Sequence, residues 1–157
     1  MPVSAVKILT NPVHCLAFGF GSGLVPKAPG TFGTLLAVPL YLLLAKLSLP
    51  LYAAVVVAAV VIGIYLCGKT ATDLGMHDHP GIVWDEFVGF WITMFSAPAG
   101  WLWIVMGFLL FRLFDIWKPW PIKALDKNMA TGLGIMIDDV LAGIYAWVII
   151  QLLALWL

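Results

Sequence analysis

Phe87-Val88-Gly89-Phe90-Trp91-Ile92-Thr93-Met94-Phe95-Ser96-Ala97-Pro98-Ala99-Gly100-Trp101-Leu102-Trp103-Ile104-Val105-Met106-Gly107-Phe108-Leu109-Leu110-Phe111 is a run of 25 residues without a charge. A helix needs about 20 apolar residues to cross the hydrocarbon core of a bilayer, so its length permits one crossing. Its middle reads differently. Pro98 disfavours the α conformation in Ala97, and Gly100 adds a second weak point. Two readings stand: one kinked span, or two shorter helices that enter and return.

The flanking sequence chooses between them. Leu51 to Gly68 and Val140 to Leu157 are also free of charge, and Phe32 to Leu49 carries only Lys46. Each of these three has 18 residues, enough for a crossing once flanks are added. Ser48 and Pro50 mark a short turn between the first two spans, which predicts a helical hairpin. If the 87–111 run crosses once, the eight basic residues split 3 against 5. If it returns, Lys7, Lys27, Lys69, Arg112, Lys118, Lys123 and Lys127 share one side and Lys46 alone opposes them. Cytoplasmic loops carry the Lys/Arg excess, so the returning hairpin is the better reading. The expected fold is all-α: a polytopic membrane helical bundle with three full spans plus a kinked or re-entrant hairpin, forming one domain over 1–157.

Composition agrees. Of the 157 residues, 63% are hydrophobic and 10% charged, and mean hydropathy is +1.06. An ordinary soluble domain is about 25% charged. These values exclude a soluble globular enzyme and a disordered chain. A net charge of +0 leaves no field for a polyanion, so no nucleic-acid partner is expected. Cys15 and Cys67 lack metal-ligand spacing and read as inert thiols in apolar surroundings. The stretch from Val13 to Val25 is not followed by a convincing cleavage site and reads as a retained, surface-lying or partly buried segment.

All eight acids fall in two windows, Lys69 to Glu86 and Arg112 to Asp139. Asp85-Glu86 opens an apolar run with Gly89 on the same helical face, and Asp138-Asp139 precedes Gly143 in the same way. A glycine four residues on lets another helix approach closely. One reading is complementarity to the positive N-terminus of each helix. A single acid would serve that purpose. Two adjacent acids in each of two apolar helices point to a hard cation, and Mg²⁺ takes oxygen ligands it can share with a phosphate. Carboxylates at a membrane edge are functional candidates.

Two further motifs carry cations. In Phe111-Arg112-Leu113-Phe114-Asp115-Ile116-Trp117-Lys118-Pro119, Arg112, Asp115 and Lys118 share a helical face that Pro119 ends. Trp117 and Trp120 suit the headgroup region. In Pro26-Lys27-Ala28-Pro29-Gly30-Thr31-Phe32-Gly33-Thr34, a turn precedes the first span. It serves either as a simple cap, with Thr31 capping, or as a phosphate cradle with Lys27 as a point charge. His77 and His79 read as a polar turn without a third nitrogen or sulfur ligand for zinc. His14 carries no signal.

These two motifs, with Asp85-Glu86-Phe87-Val88-Gly89 and Gly134-Ile135-Met136-Ile137-Asp138-Asp139-Val140-Leu141-Ala142-Gly143, resemble the phosphatidylglycerophosphatase A family of bacteria. The resemblance runs from about Phe18 to Ala146. It implies a Mg²⁺-dependent phosphatase of the inner membrane. The substrate would be the lipid phosphatidylglycerophosphate, cleaved at its terminal phosphomonoester on the cytoplasmic side. The residue roles follow from side-chain chemistry. Glu86, Asp115 and Asp139 are expected as metal ligands, and Asp85 and Asp138 as catalytic carboxylates. Lys27, Thr31, Arg112 and Lys118 are expected on the phosphate. The site is expected among the starts of the Asp85 and Asp138 helices, the end of the Arg112 helix and the Lys27 loop. A nucleotide-lipid phosphotransferase would need a longer acidic signature. A small cation transporter would need polar groups deep in its spans, where these runs are apolar.

Overall fold

Proline and glycine set the element boundaries in the computed structural model, which describes residues 3–128 and 131–157, the side chains of 127 and 128 excepted. Eight α-helices and one 3₁₀ turn (Ser22–Leu24) are found among the described residues, with no strand. Two short helices, α1 (Ala5–Thr10) and α2 (Pro12–Ala17), come first. Asn11 separates them and caps α2 by accepting from the backbone N–H of Val13 and His14. Next come α3 (Pro29–Leu44), α4 (Leu49–Leu74), α5 (Trp84–Thr93), α6 (Trp101–Trp117), α7 (Ile122–Asn128) and α8 (Gly132–Trp156).

Two of these, α4 and α8, are long and apolar enough to cross a membrane. The span expected over 32–49 is shorter and begins earlier. α3 runs for 16 residues, about 24 Å, and ends before Lys46, which lies in the α3–α4 turn. The α3–α4 turn is short, as expected, but of its two marker residues only Ser48 lies outside α4, at its cap position, while Pro50 falls in the first turn of the helix. The 87–111 run does break. α5 stops at Thr93, and the chain turns with Ser96 at φ +57° and Gly100 at φ +129°. Gly100 holds a backbone angle that other residues rarely adopt. α6 then returns antiparallel to α5: Gly107 lies against Met94, Phe111 against Gly89, and Arg112 beside Glu86.

α5 is the centre of the bundle, with seven of its ten residues buried. α3 lies along it, and the Trp91 indole donates to Ala37 O at 3.2 Å. α4 runs the other way, with the Tyr52 hydroxyl donating to Trp91 O at 2.6 Å. α8 runs parallel to α5, and its Trp147 and Gln151 both donate to Phe95 O, at 2.9 and 3.1 Å. Between α5 and α8 the backbones approach closely at Gly143 and Gly89. A Cβ on Gly143 would sit 2.5 Å from Gly89 O. These are the two glycines that follow the acidic pairs, so the close contact sets those pairs at one level.

Two ends result. The polar end gathers the starts of α3, α5 and α8, the end of α6, and α1, α2 and α7. The apolar end holds the α3–α4 turn and the α5–α6 loop, which meet around Tyr41, Leu47, Ser96 and Ala97. The outer side of the bundle is apolar. Leu102, Val105, Leu109, Leu113 and Ile116 form an exposed stripe along α6. Exposed Trp117 and Trp120 stand at the polar end, and Trp101 and Trp156 at the other, the distribution of aromatic belts at two membrane interfaces.

Candidate active site

Asp85 and Glu86 lie in the first turn of α5. Asp138 and Asp139 do not begin their helix. α8 starts at Gly132, capped by the Thr131 hydroxyl accepting from Gly134 N–H at 3.4 Å. Asp138 and Asp139 therefore stand in the second turn, beyond the reach of simple N-terminal complementarity. The expectation that both pairs mark helix starts is corrected for this one.

Side-chain atoms of Asp85, Glu86 and Asp139 converge within 4.8 Å of one another. Asp85 is 7% exposed and Asp139 2%. Asp85 Oδ1, Glu86 Oε2 and Asp139 Oδ2 are buried and have no hydrogen-bond partner. Buried polar atoms are nearly always paired, and like charges at this separation repel. Three converging carboxylates, each with an orphaned buried oxygen, have the chemistry of a donor set for a hard divalent cation. These residues fit such an ion.

Asp115 is not in that cluster. It accepts an ion-paired hydrogen bond from Arg112 Nη1, as the three-residue spacing allows, and it neighbours Asp139. The same guanidinium nitrogen lies 3.8 Å from Glu86 Oε1. Arg112 Nε is buried and unpartnered. Asp138 turns away from its sequence neighbour. Its Oδ2 accepts from Lys118 Nζ at 3.0 Å and its Oδ1 from Asp139 N–H at 3.1 Å. Lys118 also donates to Asp126 of α7 at 3.0 Å. Burial alone would lower the Lys118 pKa, but Asp138 and Asp126 outweigh it and hold the ammonium above its usual value.

The Lys27 loop arrives through Gly30. A Cβ there would meet Glu86 Oε1 at 2.5 Å and Arg112 Nη1 at 3.2 Å. The start of α3 thus packs directly on the site, and a side chain at position 30 would require the Glu86 carboxylate or the Arg112 guanidinium to shift. Ala28 occupies the cap position at φ +51° without a side-chain cap bond. Thr31 is not the cap; it lies inside the first turn. Lys27 is exposed at the rim. His79 takes the expected turn role, its Nδ1 accepting from Gly81 N–H at 2.9 Å, and burial lowers its pKa.

Three contacts were not visible in the sequence. His14 is buried and pins α2 to α4, with Nδ1 3.0 Å from Thr70 Oγ1 and Nε2 3.4 Å from Asp73. Asp126 as a partner of Lys118 had no local signal, being eight residues away across a turn. Gly30 against Glu86 depends on α3 packing beside α5, although the glycine in a pre-span loop was a hint.

Fold and site together describe an all-helical protein, two of whose helices are long and apolar enough to cross a membrane, with a recessed acidic and basic centre at one end. The phosphatidylglycerophosphatase A family matches the chain over residues 15–154, and the chain belongs to that family. Among relatives, phosphatidylglycerophosphatase A of Escherichia coli is 53% identical over 87% of this chain and 80% of its own. The protein of the same name from Haemophilus influenzae is 46% identical over 99% and 96%. A Bacteroides thetaiotaomicron relative, 42% identical over 84% and 87%, carries a provisional name as a phosphatidylinositol-3-phosphatase. No solved structure matches the chain.

Proposed function

We infer that this chain is a lipid phosphomonoesterase that converts phosphatidylglycerophosphate into phosphatidylglycerol and inorganic phosphate. Family membership gives the reaction. The observation that carries the site is the convergence of three unsatisfied carboxylates beside Arg112 and the bare start of α3.

Asp85, Glu86 and Asp139 would hold Mg²⁺, so Asp85 joins the ligand set. Bound there, the ion would neutralise phosphate oxygens and lower the pKa of a water. Arg112 binds the phosphate through guanidinium N–H groups that Asp115 keeps oriented, which makes Asp115 a positioning residue in this reading. The N–H of Gly30 at the start of α3, with Thr31 and Lys27, completes the anion's surroundings; the Thr31 and Phe32 N–H groups already donate to Ala28 O. Asp85, buried in the same cluster, would take the proton of the attacking water. Asp138, with both oxygens engaged, fixes the backbone of Asp139 and anchors Lys118, which ties α6 and α7 to α8.

The proposed topology is one membrane-embedded phosphatase domain. It has three spans (α3, α4 and α8) and an α5–α6 hairpin that returns. Lys7, Lys27, Lys69, Arg112, Lys118 and Lys123 belong to the polar end, and Lys46 to the other. The positive-inside rule supports a site at the cytoplasmic face, in bacteria at the inner membrane. The apolar character of the bundle away from the site disfavours a cation transporter.

The test is phosphate release from phosphatidylglycerophosphate in detergent micelles, with Mg²⁺ and with chelator, for wild type and Asp139→Asn. Release that needs both is expected. A folded wild type that spares phosphatidylglycerophosphate and cleaves a phosphatidylinositol phosphate would move the substrate to the other headgroup. No release from either would remove the reaction.

A further inference from the structure

α3 has two faces. Gly33, Thr34, Ala37 and Tyr41 are buried toward α5. On the opposite side, Phe32, Leu35, Leu36 and Pro39 follow helical spacing and form an apolar groove of about 280 Å³ with Ser22 and Val25. Its polar lining is small, and the Ser22 hydroxyl is already committed to Gly19 O at 2.8 Å. Pro39 lacks an N–H, so the carbonyl of Leu35 has no helical donor, and the helix surface is relieved at that point. A second apolar cavity, between Val56, Phe95 and Trp147, lies at the other end of the bundle beside the hairpin loop.

Only the first of these grooves starts where the site ends. Its upper wall, Val25, and its first helical residue, Phe32, bracket the segment that carries Lys27 and Gly30. Gly30 touches Glu86 and Arg112. From Gly30 to Pro39 the helix rises about 14 Å, a path leading from headgroup depth into the acyl region.

We propose that this groove seats an acyl chain of the lipid whose terminal phosphate is held by Arg112, so that the lipid straddles the start of α3. The inference rests on the lipid-phosphatase reading. The phosphate lies on the inner side of the first turn, the headgroup passes over Lys27 and Ala28, and one chain descends along Phe32, Leu35 and Pro39. Binding energy from the chain then positions the phosphate at the carboxylates, and chain length becomes a determinant of turnover.

Two measurements test it. Benzoylphenylalanine is placed at Leu35 in the groove and at Val61 on the outer face of α4. Each protein is irradiated in phosphatidylcholine vesicles containing a minor fraction of phosphatidylglycerophosphate, with excess chelator to slow its hydrolysis. Mass spectrometry identifies the captured lipid. Enrichment of the phosphomonoester lipid at Leu35 over Val61 is expected; equal capture would mean bulk lipid only and overturn the groove. Separately, Leu35→Trp fills the groove from an exposed position. It should lower kcat/KM for a dihexadecanoyl substrate at least about fivefold relative to a dihexanoyl one. An unchanged ratio would also overturn the groove. Enriched capture with no phosphate release by wild type would instead overturn the reaction and leave the groove standing.

Discussion

Asp85-Glu86 and Asp138-Asp139 look alike in the sequence, yet they are used differently. Both acids of the first pair enter the carboxylate cluster. The second pair divides: Asp139 enters it and Asp138 faces Lys118. Helix position and neighbours separate them. Asp85 and Glu86 lie in the first turn of a helix surrounded by α3, α4, α6 and α8, so both find the interior. Asp138 and Asp139 lie in a second turn, with successive side chains about 100° apart. One points to α5 and the other to Lys118 at the end of α6. An acidic pair therefore does not state how many of its members enter the cluster.

The sharpest way to break this contrast is to neutralise one member at a time. Asp139→Asn should lower kcat by at least about a thousandfold with the helical circular dichroism retained, and Glu86→Gln should behave alike. Asp138→Asn should cost on the order of tenfold, because it acts through Asp139 and Lys118 rather than on the substrate. Equal losses for Asp138 and Asp139 would place both in the cluster and abolish the distinction.

The register that aligns the pairs is tested by stability. Gly143→Ala puts a methyl against Gly89 O, and overpacking of this kind costs about 1–3 kcal/mol. A lower thermal midpoint is expected, and an unchanged one would show that α5 and α8 can separate without penalty. A smaller effect concerns the Lys118 bridge. Lys118→Ala and Asp138→Asn should be non-additive in stability by about 1 kcal/mol, since each breaks the same pair. Full additivity would mean that the bridge is not formed in the membrane. The smallest effect is expected at the exposed rim: Lys27→Ala should raise KM by a few-fold, the scale of a solvated ion pair. No change in KM or kcat would return that loop to a turn alone.

Much of this was legible in the chain. The Ser96–Gly100 break and the lone Lys46 opposite the other cations pointed to a returning hairpin, and the α5–α6 loop lies at the Lys46 end. The Arg112–Asp115 pairing followed from three-residue spacing, and the two glycines after the acidic pairs announced a close helix contact. The length of α3 was less legible, because an apolar residue such as Leu49 fits the end of one helix as well as the start of the next. His14 was silent because a histidine's partners, here Thr70 and Asp73 of another helix, are not encoded beside it.

The sequence by itself determined the class of fold, the end of the bundle that carries the chemistry, and the residues from which a site could be drawn. Those depend on composition, period and charge placement, which are local. Tertiary structure alone decided which carboxylates meet. It moved Asp85 into the cluster, assigned Asp115 to Arg112 and Asp138 to Lys118, and brought Gly30 against Glu86. The physical reason is that burial, orphaned oxygens and ion pairing depend on the relative rotation and depth of α3, α5, α6 and α8. Those are set by packing between helices far apart in the chain.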